Sequence, residues 1–501
     1  MTTADREAAA PDGGLFALAM PLLYLLWLPL ALALIGFFLY AVAGRIGYPY
    51  PLEWLEPATS DTVSRILRGL PIYCAPSYEF VASMKTPLYY YVAAAVSPIF
   101  GADHLSAGRL VSVVSTAGVC LLLWGSIRRE GGSRLWALLG VALFLATYNI
   151  SRQWYDIARL DTLFLFILMA AAFGLRFWRG AAGAAGAGLL LAAAYFTKQT
   201  VLLVAIPLLL MLALAAPRRA AVAALALAAA VLIGMTFLHV ATDGWSTFFL
   251  VEVPRNGEID RSVILSFWSR DLLPPLGLAL LTSLGWVAAQ WRCDREGALF
   301  HGGLLLGALL CGWLGRIHVG STSNALMPIF AVLALMMPLA LQRLLQHSAG
   351  RGPPRRALAL AVHAVALLQL ALLSYDPRGI IPDASDLAAA ERLAAFLGHI
   401  DGNVLVMDDR YFSRLAGKPS SGLDFAVGDL LRVKHSPVPA DFKRSVLDAL
   451  QAARFVGIVD PPDFVIDQVK LGAPVPIQMS RQTPGHVRFR PRPEQYYAVL
   501  Q

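Results

Sequence analysis

The apolar run "LFALAMPLLYLLWLPLALALIGFFLYAVA" at residues 15–43 gives way, after "GRIG", to "YPYPLEWLEP" at residues 48–57. A helix needs roughly 20 consecutive apolar residues to cross a hydrocarbon layer, and this run exceeds that. It is too long for the core of a secretory signal, and no small-residue cleavage site follows it, so it predicts a retained anchor. The decapeptide after it sets Glu53 and Glu56 among Pro49, Pro51 and Pro57. The chain therefore leaves the membrane straight into an acidic loop stiffened by proline.

Apolar stretches of similar length recur as far as Ser374, about eleven in all. With 501 residues, 57% hydrophobic and 15% charged, and a mean hydropathy of +0.60, the chain has more apolar surface than one water-soluble core needs. The expected fold is mainly α, a polytopic transmembrane helical bundle. The net charge of +8 is not a nucleic-acid signal, because Lys and Arg gather in alternate short loops: "IRREGGSR" (127–134), "RFWRG" (176–180), "PRR" (217–219), "WRCDRE" (291–296) and "QRLLQHSAGRGPPRR" (342–356). The positive-inside rule makes those loops cytoplasmic. The expected layout is a cytoplasmic tail over 1–14, a membrane domain over 15–375 with a large first outer loop at 44–103, and an outward-facing domain over 376–501. Alanine and arginine richness associates the chain with a GC-rich bacterial genome, and so with the inner (plasma) membrane.

Past Tyr375 the Leu/Ala runs are replaced by mixed polarity. There "DLAAAERLAAFLGHI" has helical spacing, "NVLVMD" and "RFVGIVD" read as short buried strands, and Gly402 and Pro461 mark turns, which predicts a small C-terminal extracytoplasmic α/β domain. It has no nucleotide-binding glycine fingerprint, which favours docking or substrate contact over chemistry. Cysteines 74, 120, 293 and 311 show neither CxxC nor Cys/His ligand spacing, so neither a disulfide framework nor a zinc site is supported; no cofactor is named by the sequence, and a divalent metal stays open. The alanine-rich patch at 179–194 reads as a close helix-packing surface.

The remaining loops share the outer face and hold the interesting polar residues. After Glu56, Val63, Ile66, Leu67 and Leu70 recur at helical spacing opposite Asp61, Arg65 and Arg68, an amphipathic helix expected on the membrane surface. Then "KTPLYYY" (85–91) supplies Lys85 and Tyr89 ahead of an apolar helix too short to span. "SRQWYDIARLDT" (151–162) places Arg159 and Asp161 near the bilayer, where ionisable groups are costly and usually functional. "FTKQT" adds Lys198 and Gln199, and "GRIHVGSTSN" adds Arg316, His318 and Asn324. The segment 243–271 is long enough to be a lid.

A sugar carried on a polyprenyl phosphate would use such a face. Its tail stays in lipid, its phosphate sits at the interface, and cations such as Lys85, Arg159 and Lys198, with Gln199 beside them, would bind that phosphate and offset the charge it gains on bond cleavage. The phosphate leaves without a general acid, whereas the acceptor hydroxyl needs a carboxylate to take its proton. Glu53 and Glu56 are placed for that, with Asp161 nearby; Tyr89, His318 and Asn324 are candidate substrate contacts.

From residue 15 to about 345 this layout resembles the class C (GT-C) integral membrane glycosyltransferases, the group of the protein O-mannosyltransferases and the aminoarabinose transferases. In that family an acidic pair opens the first outer loop and a glycine ends the first juxtamembrane helix, as Glu56 and Gly69 are spaced here. "KTPLYYY" resembles the family's "KPPL" turn, Arg159 and Asp161 its "R-x-D", and Lys198 and Gln199 the element that follows. The resemblance implies transfer of sugar from a polyprenyl-phosphate donor to a lipid, glycan or protein acceptor, with a carboxylate as general base. One departure stands out: the family's acidic pair is adjacent and its first member is often catalytic, but Leu55 holds that position here. Either Glu56 then takes the base role alone, or Glu53, one turn earlier, shares it, and Glu56 is favoured.

Simpler readings exist for each residue. Glu53 and Glu56 would serve as solvated interfacial charges, Asp161 as a helix cap, Arg159 and Lys198 as snorkelling anchors, Lys85 as a surface charge and His318 as a loop histidine. Convergence on one face favours the site. The rival class is a lipid-linked sugar transporter or flippase without transfer activity; such proteins carry ionisable groups near the midplane on broken helices within inverted repeats, and neither feature is found. A scaffold displaying the C-terminal domain would leave the first-loop carboxylates without a purpose.

Overall fold

The computed structural model describes residues 13–101, 104–348, 353–406, 410–418, 425–452, 457–459, 475–476 and 496–499. It is mainly helical. Helix α1 (Gly13–Arg45) is followed by α2 (Glu56–Leu67) and α3 (Leu88–Val96) of the long first loop, then α4 (His104–Arg129), α5 (Arg134–Ala146), α6 (Asp161–Phe177), α7 (Gly180–Thr197), α8 (Val201–Ala213) and α9 (Pro217–Ala241). Three short turns, α10 (Trp245–Thr247), α11 (Val253–Arg255) and α12 (Val263–Ser266), lead to α13 (Leu273–Gln290), α14 (Arg295–Arg316), α15 (Met327–Ser348) and α16 (Pro353–Leu372). Among the described residues 7 segments are long and apolar enough to cross a membrane, and shorter apolar helices such as α5 and α8 lie among them. The most enclosed segment is Ser323–Gln346, 94% buried, while Pro217–Ala241 is only 11% buried; α15 is thus at the centre of the bundle and α9 at its periphery.

Small residues bring these helices close. A Cβ on Gly188 of α7 would meet the Ala223 carbonyl of α9, and one on Gly307 of α14 would come within 2.7 Å of the Val204 backbone of α8. In lipid, where burial of apolar surface offers little drive, such close backbone approach supplies the packing. The connections sort to two ends. At one, Arg176 donates to Glu130 (2.6 Å) and Asp294 (2.6 Å), and Arg219 to Glu296 (2.5 Å). At the other, Lys198, Asp161 and Asn324 meet.

Beyond α16 the described residues form α17 (Ala384–His399), α18 (Arg410–Leu415), α19 (Phe425–Leu431) and α20 (Val438–Gln451), with the strands β1 (Val404–Val406), β2 (Gly457–Val459), β3 (Val475–Pro476) and β4 (Tyr496–Val499). A reciprocal capping box of Asp383 and Asp386 starts α17. The sheet order is β1-β2-β4-β3; β1 and β2 are parallel with Val404 opposite Gly457, and β4 runs antiparallel to both its neighbours. These first two strands fall within "NVLVMD" and "RFVGIVD". The tail over 1–12 and the turn at Pro461 lie outside the described residues.

Helix α2 ends at Gly69, whose φ of 69° suits glycine after a helix C-terminus. Glu56, Ser60, Asp61 and Val63 of α2 are buried, while Leu67, and Leu70 just beyond the helix, are left uncovered by protein. Asp61 was expected on the polar outer face, yet it is covered because Arg414 of α18 ion-pairs with it at 3.3 Å.

Candidate functional site

The stretch from Tyr48 to Leu55 has no regular secondary structure, so its course depends on what holds it. Glu56, in the first turn of α2, is fully enclosed and accepts from four donors: Arg109 Nε (3.0 Å) and Nη2 (2.8 Å), and the amides of Leu52 (2.6 Å) and Ala158 (2.6 Å). Arg109 of α4, also wholly buried, further donates to the carbonyls of Tyr48 and Tyr50. Burial raises the Glu56 pKa, but Arg109 and the two amides outweigh it and hold the carboxyl below the usual range. With both oxygens engaged, Glu56 has no free position for another proton donor. The expectation that favoured it as the base meets a carboxylate that already ties the first loop, α4 and the second loop together.

Glu53 differs. Its Oε2 accepts from the Leu55 amide at 2.9 Å, and its Oε1 is buried with no hydrogen-bond partner among the described residues. Burial raises its pKa to about 7, against the Arg159 charge and the Leu55 amide and with help from the charges of Glu56 and Asp161. A carboxylate poised there takes a proton readily at neutral pH.

The second loop is held in a restrained form. Arg152 and Gln153 have φ of 61° and 60°, in the left-handed region that costs most residues energy, and Arg45 secures this turn through Asp156 (2.8 Å) and the Gln153 carbonyl (3.4 Å). The loop delivers Arg159 over the Trp154 ring, 5.0 Å from its centroid, and Asp161 at the head of α6. Asp161 Oδ1 accepts from Lys198 (2.7 Å) and Asn324 (3.2 Å), while Oδ2 lies 4.0 Å from Arg159 Nε; neither that oxygen nor that nitrogen has a hydrogen-bond partner among the described residues. Three such groups, Glu53 Oε1, Asp161 Oδ2 and Arg159 Nε, line one neighbourhood. Buried polar atoms left unpaired are costly, and a polar ligand reaching them would remove that cost.

Lys85 joins them from the first loop. Tyr73 donates to its carbonyl at 2.6 Å, and Thr86 donates to the Tyr195 carbonyl at 2.9 Å, which fastens the turn to the end of α7. Its amine is lowered to about 8, first by burial and then by the nearby positive charges of Lys198 and Arg159, partly offset by Asp429 and Asp161. Three cations pressed together this way favour an anion among them.

The other candidates have partners elsewhere. Gln199 donates to the Leu250 carbonyl (2.8 Å) within a π-helical turn over Phe248–Glu252. Tyr89 is wholly buried and gives its hydroxyl to the Gly108 carbonyl (3.0 Å), joining α3 to α4. His318 is exposed on a bridge to Ile259, where it fastens the loop before α12, and Arg316 pairs with Asp271 at 2.9 Å. Sequence reading passed over Arg109, although a lone arginine in an apolar helix is a signal. Asp429 and α18 had no such signal. Among the described residues no group of three or more His, Cys, Asp or Glu could hold a metal ion.

No protein-family model matches the chain, and no curated protein matches it in sequence. Solved structures do. ArnT from Cupriavidus metallidurans bound to undecaprenyl phosphate superposes with a TM-score of 0.59 at 13% identity, over 94% of this chain and 98% of that one. AglB, the oligosaccharyltransferase from Archaeoglobus fulgidus, in complex with an inhibitory peptide and a dolichol-phosphate, gives 0.51 at 11% identity over 85% and 69%. At these identities the likeness establishes the fold alone, which this chain shares with both proteins.

Proposed function

We propose that this protein is a membrane glycosyltransferase that moves a sugar from a polyprenyl-phosphate donor to an acceptor hydroxyl, with Glu53 as the general base. The observation that carries this is the unpartnered Glu53 Oε1 beside Arg159 and Asp161, in the same charged neighbourhood as Lys85 and Lys198. That two proteins of this fold hold undecaprenyl phosphate and a dolichol-phosphate supports a lipid-linked donor.

In this reading Lys85, Arg159 and Lys198 bind the donor phosphate. The acceptor O–H gives its proton to Glu53 Oε1 as its oxygen attacks the anomeric carbon; the bond from that carbon to the phosphate oxygen breaks, its electrons stay on the phosphate, and the three cations stabilise the added charge. Asp161 holds Lys198 and Asn324 in place. Glu56 fixes the loop. The role that Leu55 vacates in the family pattern passes to Glu53, two residues earlier, and Glu56 keeps a structural part.

The same proposal sets α5, α6, α8 and α16 beside the seven longer segments as eleven spans. It places the basic loops and the residue 1–14 tail in the cytoplasm, and the site and the domain over 376–501 outside the plasma membrane. The test is turnover of a radiolabelled undecaprenyl-phosphate sugar by purified protein. Glu53→Gln removes the proton acceptor but keeps its shape, so kcat falls by about 10²-fold or more while undecaprenyl phosphate still binds. Glu56→Gln removes one charge of a buried pair, which costs about 3–5 kcal/mol of stability and lowers the yield of folded protein. Full activity in Glu53→Gln overturns the assignment.

A further inference from the structure

We propose that the C-terminal domain belongs to the catalytic apparatus: through Tyr411, Phe412 and Arg414 of α18 it positions the first loop, and with it the Glu53 carboxylate. This rests on the transfer reading above only for Glu53's role as base. The loop from Tyr48 to Leu55 lacks regular structure, so outside contacts must set its path. From the bundle, Arg109 holds the Tyr48 and Tyr50 carbonyls and Glu56. The other contacts come from α18. The Phe412 ring lies flat on Tyr50, with centroids 5.6 Å apart and planes at 7°, the Tyr411 hydroxyl donates to the Pro49 carbonyl, and Arg414 reaches Ser60 Oγ (2.9 Å) and Asp61 (3.3 Å) on α2.

Tyr50 is therefore gripped twice, by its carbonyl (2.7 Å to Arg109) and by its ring. Phe412 is fully buried in a small core with Leu105 of α4 and Ala158 of the second loop, and the Ala158 amide is one of the donors to Glu56. The packing of α18 thus runs without a break into the groups that surround the carboxylates. A second contact reinforces it: Phe425 of α19 meets Trp54 edge-on at 5.6 Å, one residue beyond Glu53. The cations that would hold the donor phosphate have anchors of their own: the Lys85 turn is fastened to α7 through Thr86, and Lys198 is held by Asp161. Loosening α18 should therefore disturb the proton transfer and leave donor affinity intact, since misplacement of about 1 Å costs up to about 10²-fold in rate.

The test uses full-length protein carrying Phe412→Leu, Arg414→Gln or the conservative Phe412→Tyr. Arg414 is 30% exposed, so Arg414→Gln keeps a folded variant in hand if Phe412→Leu does not accumulate. Two quantities are read: kcat and donor KM with the polyprenyl-phosphate sugar that the wild type turns over, and the pH midpoint of Glu53 labelling by dicyclohexylcarbodiimide, which reacts with the protonated carboxyl. The wild-type midpoint is expected near 7. In Phe412→Leu and Arg414→Gln water reaches the loop, the midpoint falls by about one unit towards the ordinary glutamate range, kcat drops about 10-fold or more with KM unchanged, and Phe412→Tyr restores both. A midpoint that stays near 7 in both variants overturns the proposal. A wild type with no turnover sinks the transfer reading while the labelling still decides the positioning, and a moved midpoint with unchanged kcat keeps α18 as the positioning element and removes Glu53 as the base.

Discussion

At the scale of the residue, two glutamates three positions apart have opposite surroundings. Glu56 sits among four donors and is held ionised below the usual range, whereas Glu53 has one donor and a raised pKa of about 7. Environment pushes the two carboxyls in opposite directions, as it does in other two-carboxylate sites, and this is what the proposed roles rest on. A pH profile follows. Glu53 must be ionised to accept a proton, so kcat/KM rises as pH passes through about 7. Lys85 must be charged to bind phosphate, so kcat/KM falls as pH passes through about 8. In kcat the upper limb moves to higher pH, because a bound phosphate favours the ammonium form. A profile flat between pH 6 and 9 would remove both residues from the reaction.

At the scale of the element, the site depends on loops fastened to close-packed helices. Thr86 fastens the Lys85 turn to α7, Lys198 stands at the end of that helix, and α7 in turn packs on α9. A side chain at Gly188 would meet the Ala223 carbonyl, which is backbone and cannot rotate away. Gly188→Leu is expected to push α7 from α9, to cost about 1–3 kcal/mol by overpacking, and to lower turnover through displacement of Lys198 and Lys85. The temperature of half-inactivation in detergent measures the first effect and donor KM the second; a variant with wild-type values in both would show that the contact is not needed.

At the scale of the whole molecule, the connections form two ends of different chemistry, an inter-helix salt-bridge network and a site rich in unpaired polar atoms. Alternate loops carry the basic clusters, so a reporter fused after Ser374 is expected to be active outside the cytoplasm and one at Arg218 inside. The reverse pattern would put the site on the cytosolic face. Hydropathy and charge spacing along the chain were enough for the membrane class, the helical bundle and the identity of the loops that bear Glu53, Lys85, Arg159, Asp161 and Lys198, because segment length against bilayer thickness and loop charge are local properties. Gly69 just past the end of α2 was an expectation of the family resemblance, and its left-handed φ of 69° agrees with it. What only the tertiary structure decided is which glutamate is saturated with donors: Glu56 is paired with Arg109, 53 positions later, and accepts from the Ala158 amide, 102 positions later. The contacts of α18 with Pro49 and Asp61 span more than 350 positions. Electrostatics and burial act through distance in space, and a pattern read along the chain carries no measure of it.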